Sequence, residues 1–155
     1  MTDDERLYAQ ITASEGRKDK PYLCTAGKMT IGVGHNFEDN RLTPKQLWAL
    51  FSNGVSQAGI DIVLHDDVEA IRAALRRAVA SFTGWPPARQ AALIDMGMMG
   101  VPRLMGFTKM WAAVDRGDWS AAADEALDSK WAREDVPSWR SKRDADQIRT
   151  GEWSV

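Results

Sequence analysis

At 155 residues the chain is long enough for one domain, or for two lobes sharing a helix, and at 44% hydrophobic and 27% charged it has an ordinary water-soluble composition that can bury a real core. A formal net charge of −2 supplies no basic field, so nucleic acid is not expected as a partner. The one cysteine excludes an intramolecular disulfide and suits a reducing compartment. The opening MTDDERLY has no basic or apolar leader pattern, and no run of about 18 apolar residues exists, so neither a signal peptide nor a membrane span is expected. Seven tryptophans are many for this length, and most are expected in the core.

Thr2-Asp3-Asp4-Glu5 has the form of a capping box, and Leu7, Tyr8 and Ile11 continue it at helical spacing, so a helix is predicted over about 3–14 with Gly16 closing it. Residues 17–37 break with the Ala-rich background and read as a small antiparallel sheet. Tyr22-Leu23-Cys24 and Met29–Val33 are its strands, and Thr25–Lys28 is the turn, with Gly27 able to take positive φ. Alternation puts Met29, Ile31 and Val33 on one face and Thr30 with Gly32 on the other, so Thr30 is expected to face a cleft while Ile31 packs inward. Gly32 and Gly34 would let a ligand or another backbone approach closely, though a dinucleotide fingerprint is excluded because Phe37 stands where its third glycine would be.

Thr43 caps a second helix with Pro44 at its first position, and Asn53-Gly54 is expected to end it. Ser56 then caps a long helix over about 57–80, whose apolar residues Ile60, Val63, Leu64, Val68, Ile71, Leu75 and Val79 recur at spacings of three and four. At about 1.5 Å per residue it spans roughly 35 Å, enough to bridge two lobes. Beyond the Trp85-Pro86-Pro87 break, helices are predicted from Pro87, over Phe107–Val114, from Trp119 to about Trp131, and from Pro137 to Thr150-Gly151. Gly97, Gly100 and Val101-Pro102 interrupt this run. The methionines Met96, Met98, Met99, Met105 and Met110 read as core filler.

The chemistry concentrates in Glu15–Asn36. A carboxyl at the electronegative end of a helix is pushed toward its neutral form, the direction a general acid needs, although solvation at a helix end is the bland alternative. Glycoside hydrolysis usually pairs such an acid with a second group that activates water or attacks the sugar. Asp19 and Asp39 are close in sequence, but Cys24 and Thr30, on strands turning back toward the helix end, are better placed. His35 and His65 are the only histidines and one thiol does not complete a zinc set, so neither a metal nor a cofactor is expected. A Cys24–His35 nucleophilic pair is possible in principle, against the plainer reading of His35 as a strand-end ring satisfied by backbone.

Glu15, eight residues, Cys24, five residues, Thr30 resembles the catalytic signature of the phage lysozymes, glycoside hydrolase family 24, whose usual form is Glu-x8-Asp-x5-Thr. MTIGVGHN is similar to the strand that follows it there. DDVEAIRAALRR looks like the long lobe-connecting helix, and ARQAALIDMGMMG, GFTKMWAAVDRGDWSAAADEALDSKW and VPSWRSKRDADQIRTGEW resemble the C-terminal helices. The resemblance covers nearly the whole chain. It implies an α+β, mostly α, lysozyme-like two-lobed fold forming one catalytic domain. A sheet-bearing lobe over about 1–55 would be joined by a helix over about 56–80 to a helical lobe over about 81–155, with substrate in the cleft. It also implies cleavage of the β-1,4 bond between N-acetylmuramic acid and N-acetylglucosamine in peptidoglycan by a monomeric endolysin, held in the host cytoplasm until a holin gives it access to the wall.

On that resemblance Glu15 is the general acid and Thr30 helps hold the attacking water. Cys24 stands where the family usually has Asp. It could serve as base or water-holder in an inverting reaction, attack the sugar with retention, or do little while Glu15 supports a lytic transglycosylase reaction. Gly32, His35 and Arg140 are the substrate-binding candidates. If Trp139 is a one-residue insertion, Arg140 and Arg143 match the family's late arginines, and Arg140 would fall near Glu15, where a cation lowers a carboxyl pKa. A non-catalytic wall-binding or tail-structural derivative is the rival from another class.

Overall fold

The computed structural model describes residues 1–52 and 55–154. The expected helix stop at Asn53-Gly54 lies outside them. The architecture is α+β and mostly helical, and its contacts divide the chain into two compact units, Met1–Ala70 and Ile71–Val155.

The first unit opens with α1 (Asp3–Glu15), started by the capping box: the Glu5 amide donates to Thr2 Oγ1 at 3.1 Å and the Thr2 amide to Glu5 Oε2 at 2.6 Å. It ends at Gly16, whose φ of 74° carries the chain off the helix. Three strands follow, β1 (Lys18–Leu23), β2 (Met29–Gly32) and β3 (His35–Asn36), as one antiparallel sheet in the order β1-β2-β3. β1 begins four residues earlier than periodicity predicts, and its ladder slips between Lys18 and Tyr22. Pro21 lies in that slip and has no N–H to donate, which confines it to an edge strand. Cys24 falls just past β1, in the turn it closes by accepting from the Gly27 amide at 2.8 Å. The third strand is too short for alternation to reveal.

In α2 (Pro44–Phe51) Thr43 and Gln46 form a second capping box. The α3 helix (Gln57–Ala78) starts under Ser56, whose Oγ accepts from the Gly59 amide at 3.0 Å. It runs across the boundary, giving its earlier residues to the first unit and the rest to the second. Leu7, Ile11, Ile31, Val33, Leu50, Ile60, Val63 and Val68 supply buried apolar side chains to the first unit.

The second unit carries α4 (Pro87–Gly97), α5 (Val101–Met105), α6 (Thr108–Asp115), α7 (Trp119–Leu127) and α8 (Ser138–Thr150). α5 lies where a break was expected: Pro102 sits in its first turn, where no amide donor is needed. α7 ends before the expected Trp131. The Ser129 hydroxyl donates to Ala126 O at 2.6 Å and accepts from the Ala132 amide at 3.2 Å, stopping one helix and starting a π-helical turn over Trp131–Asp135. Phe82, Leu93, Ile94, Met96, Leu104, Met110 and Ile148 form this unit's core. The expectation that most tryptophans are core is overturned. Only Trp111 and Trp131 are buried; Trp85 packs edge-on to Trp119, which Arg89 covers, and Trp48 and Trp139 are exposed.

α4 and α8 meet through a buried ionic set. Asp95 is fully buried; its Oδ1 accepts from Arg140 Nη2 at 2.7 Å and its Oδ2 from Arg143, which also bonds Asp144 Oδ1 at 2.6 Å. Burial, with the Asp95 charge adding to it, pushes the Asp144 carboxyl well above the usual range. The folded chain therefore keeps a proton on Asp144 that the unfolded chain has already lost. As pH climbs from the ordinary carboxylate range through the raised folded value, folded stability falls. Asp144→Asn removes that titration. The expected result is a wild-type melting temperature that drops relative to the variant as pH is raised from 4; parallel curves would contradict it.

Candidate active site

Glu15 is the last residue of α1 and half-buried against the second turn of the sheet. Gly34 makes that packing possible. A Cβ there would stand 2.9 Å from both Glu15 Cγ and Glu15 Oε2, and the backbone already has φ 68°. Gly34→Ala is expected to displace the carboxyl and strain the turn, by about 1–2 kcal/mol from the left-handed φ alone. Its check is a sacculus-clearing rate lowered by more than the melting temperature explains.

Cys24 and Thr30 come together, though Cys24 stands just past its strand rather than on it. Tyr22 pairs directly with Thr30 across the sheet, and Cys24 follows β1 by one residue. The Thr30 hydroxyl has a single proton, which it can give to Lys28 O, at 3.0 Å, or to the Cys24 sulfur. Burial raises the Cys24 pKa, but hydrogen bonds from the Lys28 amide, the Thr30 hydroxyl, and the Ala26 and Cys24 amides outweigh it, leaving the thiol more acidic than a free cysteine. The turn thus presents a ring of donors to an anion at position 24.

Thr30 itself is 2% exposed, as buried as Ile31. Alternation predicts Thr30 open to a cleft and Ile31 inward, but both are covered. Gly32 is likewise enclosed: its close neighbour is the Ile60 side chain, 3.4 Å from an ideal Cβ. His35 is 2% exposed; its Nδ1 bonds Asp67 Oδ2 at 2.7 Å and its Nε2 donates to Asn40 O at 2.9 Å. Both ring nitrogens are thereby engaged away from the thiol, so the Cys24–His35 pair is not formed. Arg140 lies in the second unit, 6% exposed, within the Asp95 set.

Tyr22 was missed. It is half-buried, and burial together with the charges of Glu15 and Cys24 raises its pKa, so one phenol senses both candidate groups. The signal was available: residues two apart on a strand share a face, and Tyr22 stands two before Cys24. Among the described residues no group of three or more His, Cys, Asp or Glu side chains is arranged to hold a metal ion.

A half-buried carboxyl at a helix end and a thiol acidified by its donors, both close enough for their charges to raise the pKa of one phenol, can donate a proton at one point and accept one at another. A protein-family model described as phage lysozyme matches residues 12–146, which include Glu15, Tyr22, Cys24 and Thr30. No curated protein matches the chain.

Proposed function

The chain belongs to the phage lysozyme family, whose members degrade peptidoglycan, and from that membership we propose that it hydrolyses the β-1,4 bond between N-acetylmuramic acid and N-acetylglucosamine as an endolysin. The observation that carries the reading is that Glu15 is seated against the Gly34 turn of the same sheet whose other turn holds Cys24, with Thr30 hydrogen-bonded to the thiol. Glu15 protonates the leaving glycosidic oxygen as the bond from C1 breaks. Water attacks C1 from the opposite face, held by Thr30, and passes its proton to the Cys24 thiolate, giving inversion. Glu15 ends ionised and Cys24 protonated, and exchange with solvent restores both. Gly32 and His35 contribute by fixing the turn on which Glu15 rests; Arg140 is the remaining candidate for substrate contact. Storage in the host cytoplasm, release through a holin and action as a monomer belong to the same proposal.

The test is turbidity loss of purified sacculi with mass analysis of the products. Plain reducing ends are expected; 1,6-anhydro ends, lighter by one water, would replace hydrolysis with the lytic transglycosylase reaction, and binding without clearing would make the chain a wall-binding derivative. Cys24→Asp is expected to keep clearing, because a carboxylate accepts from the same donors. Cys24→Ser, which cannot take the proton, should lose about 100-fold. A fully active Ser variant would show that position 24 does not act as base.

A further inference from the structure

The α2 helix is turned inside out. Its buried residues are Gln46 and Leu50, and Gln46 is held there by a 3.1 Å hydrogen bond to Asp66. Its exposed side chains include Leu47 at 45%, Trp48 at 76% and Phe51 at 47%. At 100° per residue Leu47, Phe51, Pro44 and Trp48 fall in one outward arc of about 100°, with Lys45 at its edge. Leaving three large apolar side chains together in water is costly, and such a patch marks a surface that is covered in use.

We propose that this face of α2 seats the protein on an anionic lipid bilayer. The charge around the patch selects the partner. From Arg41 to Ile60 the chain carries Arg41 and Lys45 and no Asp or Glu, although acidic residues outnumber basic ones over the whole sequence, 22 to 20. Both cations are exposed. The nearby acids Asp61 and Asp66 line a pocket with Lys45, Tyr8 and His65, and the same pocket also holds a second cation, Arg17, which pairs with Asp61 at 2.6 Å. An outward apolar stripe with tryptophan on its polar boundary and cations beside it is the pattern of an interfacial helix. A sugar platform would need carboxylates or amides aimed at hydroxyls. The one amide-bearing side chain among the described residues of α2, Gln46, points into the core instead. The helix is short, so the seat is weak, reversible and sensitive to salt. It is independent of whether the chain hydrolyses glycan.

The experiment is flotation of the full chain with vesicles of phosphatidylglycerol and phosphatidylethanolamine, against phosphatidylcholine vesicles, across salt. Wild type is expected to float with the anionic vesicles at low salt and to be released as salt rises. Leu47→Ser/Phe51→Ser, which keeps Trp48, should bind at least about tenfold less. Brominated lipid should quench wild-type tryptophan fluorescence and leave the variant's untouched. Circular dichroism and clearing of purified, lipid-free sacculi should match wild type. Failure of wild type to float at low salt overturns the proposal, as does equal flotation of the variant. Concentration-dependent sedimentation lost in the variant would assign the face to a second copy, and sacculus binding lost without any vesicle binding would assign it to glycan; either result replaces the bilayer.

Discussion

Glu15→Gln is expected to clear sacculi between about 10² and 10⁴ times more slowly than wild type while remaining folded. The amide has the same shape and the same seat against Gly34, so the helix end and the turn are left as they are. What it lacks is a proton that can leave, and without it the glycosidic oxygen must depart as an alkoxide. Nothing else on this turn can take over. Thr30 has one hydroxyl proton, committed to Lys28 O or Cys24, and Tyr22, with its raised pKa, holds its proton more tightly than a free phenol. Loss of clearing with an unchanged melting temperature and circular dichroism supports the assignment. Retained clearing would remove Glu15 from the reaction and reduce the site to binding.

The second large effect is structural. Asp95→Ala is expected to destabilise the chain by about 3–5 kcal/mol, because it removes a fully buried carboxylate shared by two guanidinia. At about 2–4 °C per kcal/mol for a chain of this size, the melting temperature should fall by roughly 10 °C. The cost lies mostly in what stays behind: Arg140 and Arg143 remain in low-dielectric surroundings with less negative charge to balance them. Arg140→Ala should be less harmful in the Asp95→Ala background than in wild type, so a double-mutant cycle reads the coupling directly. Additive effects would mean the pair does not act as a unit. An unchanged melting temperature would place Asp95 in a wetter environment than its burial describes.

Much of the fold is legible in the amino-acid sequence. Helix starts were legible because caps are local: Thr2, Thr43, Ser56 and Asp118 each accept from the amide three residues on. The stops were less so. The α7 helix ends four residues early because a serine hydroxyl competes for the backbone, and the apolar periodicity of 119–131 does not record that competition. In the candidate site, Glu15, Cys24 and Thr30 are proposed from spacing and resemblance. Gly34's contact with Glu15 and the commitment of His35 to Asp67 depend on chain segments far apart in sequence. Alternation tells which residues share a face, not whether that face is covered, which is why Thr30 was expected in the open and is buried. Tryptophan content misled for a related reason: composition does not say which side of a helix a ring occupies, and Trp48 lies on the outside of α2.

The sheet's outer edge bears on how the chain behaves when crowded. Among the described residues β1 has β2 on one side only, so its other side offers backbone groups that a strand from another molecule could zip onto. Lys18, Asp19 and Lys20 are exposed there, Pro21 withholds an amide, and the register slips just at that point. Each feature spoils the straight, repeating ladder on which fibrils and amorphous precipitates grow. At high protein concentration this edge therefore works against strand-to-strand association between copies of the chain.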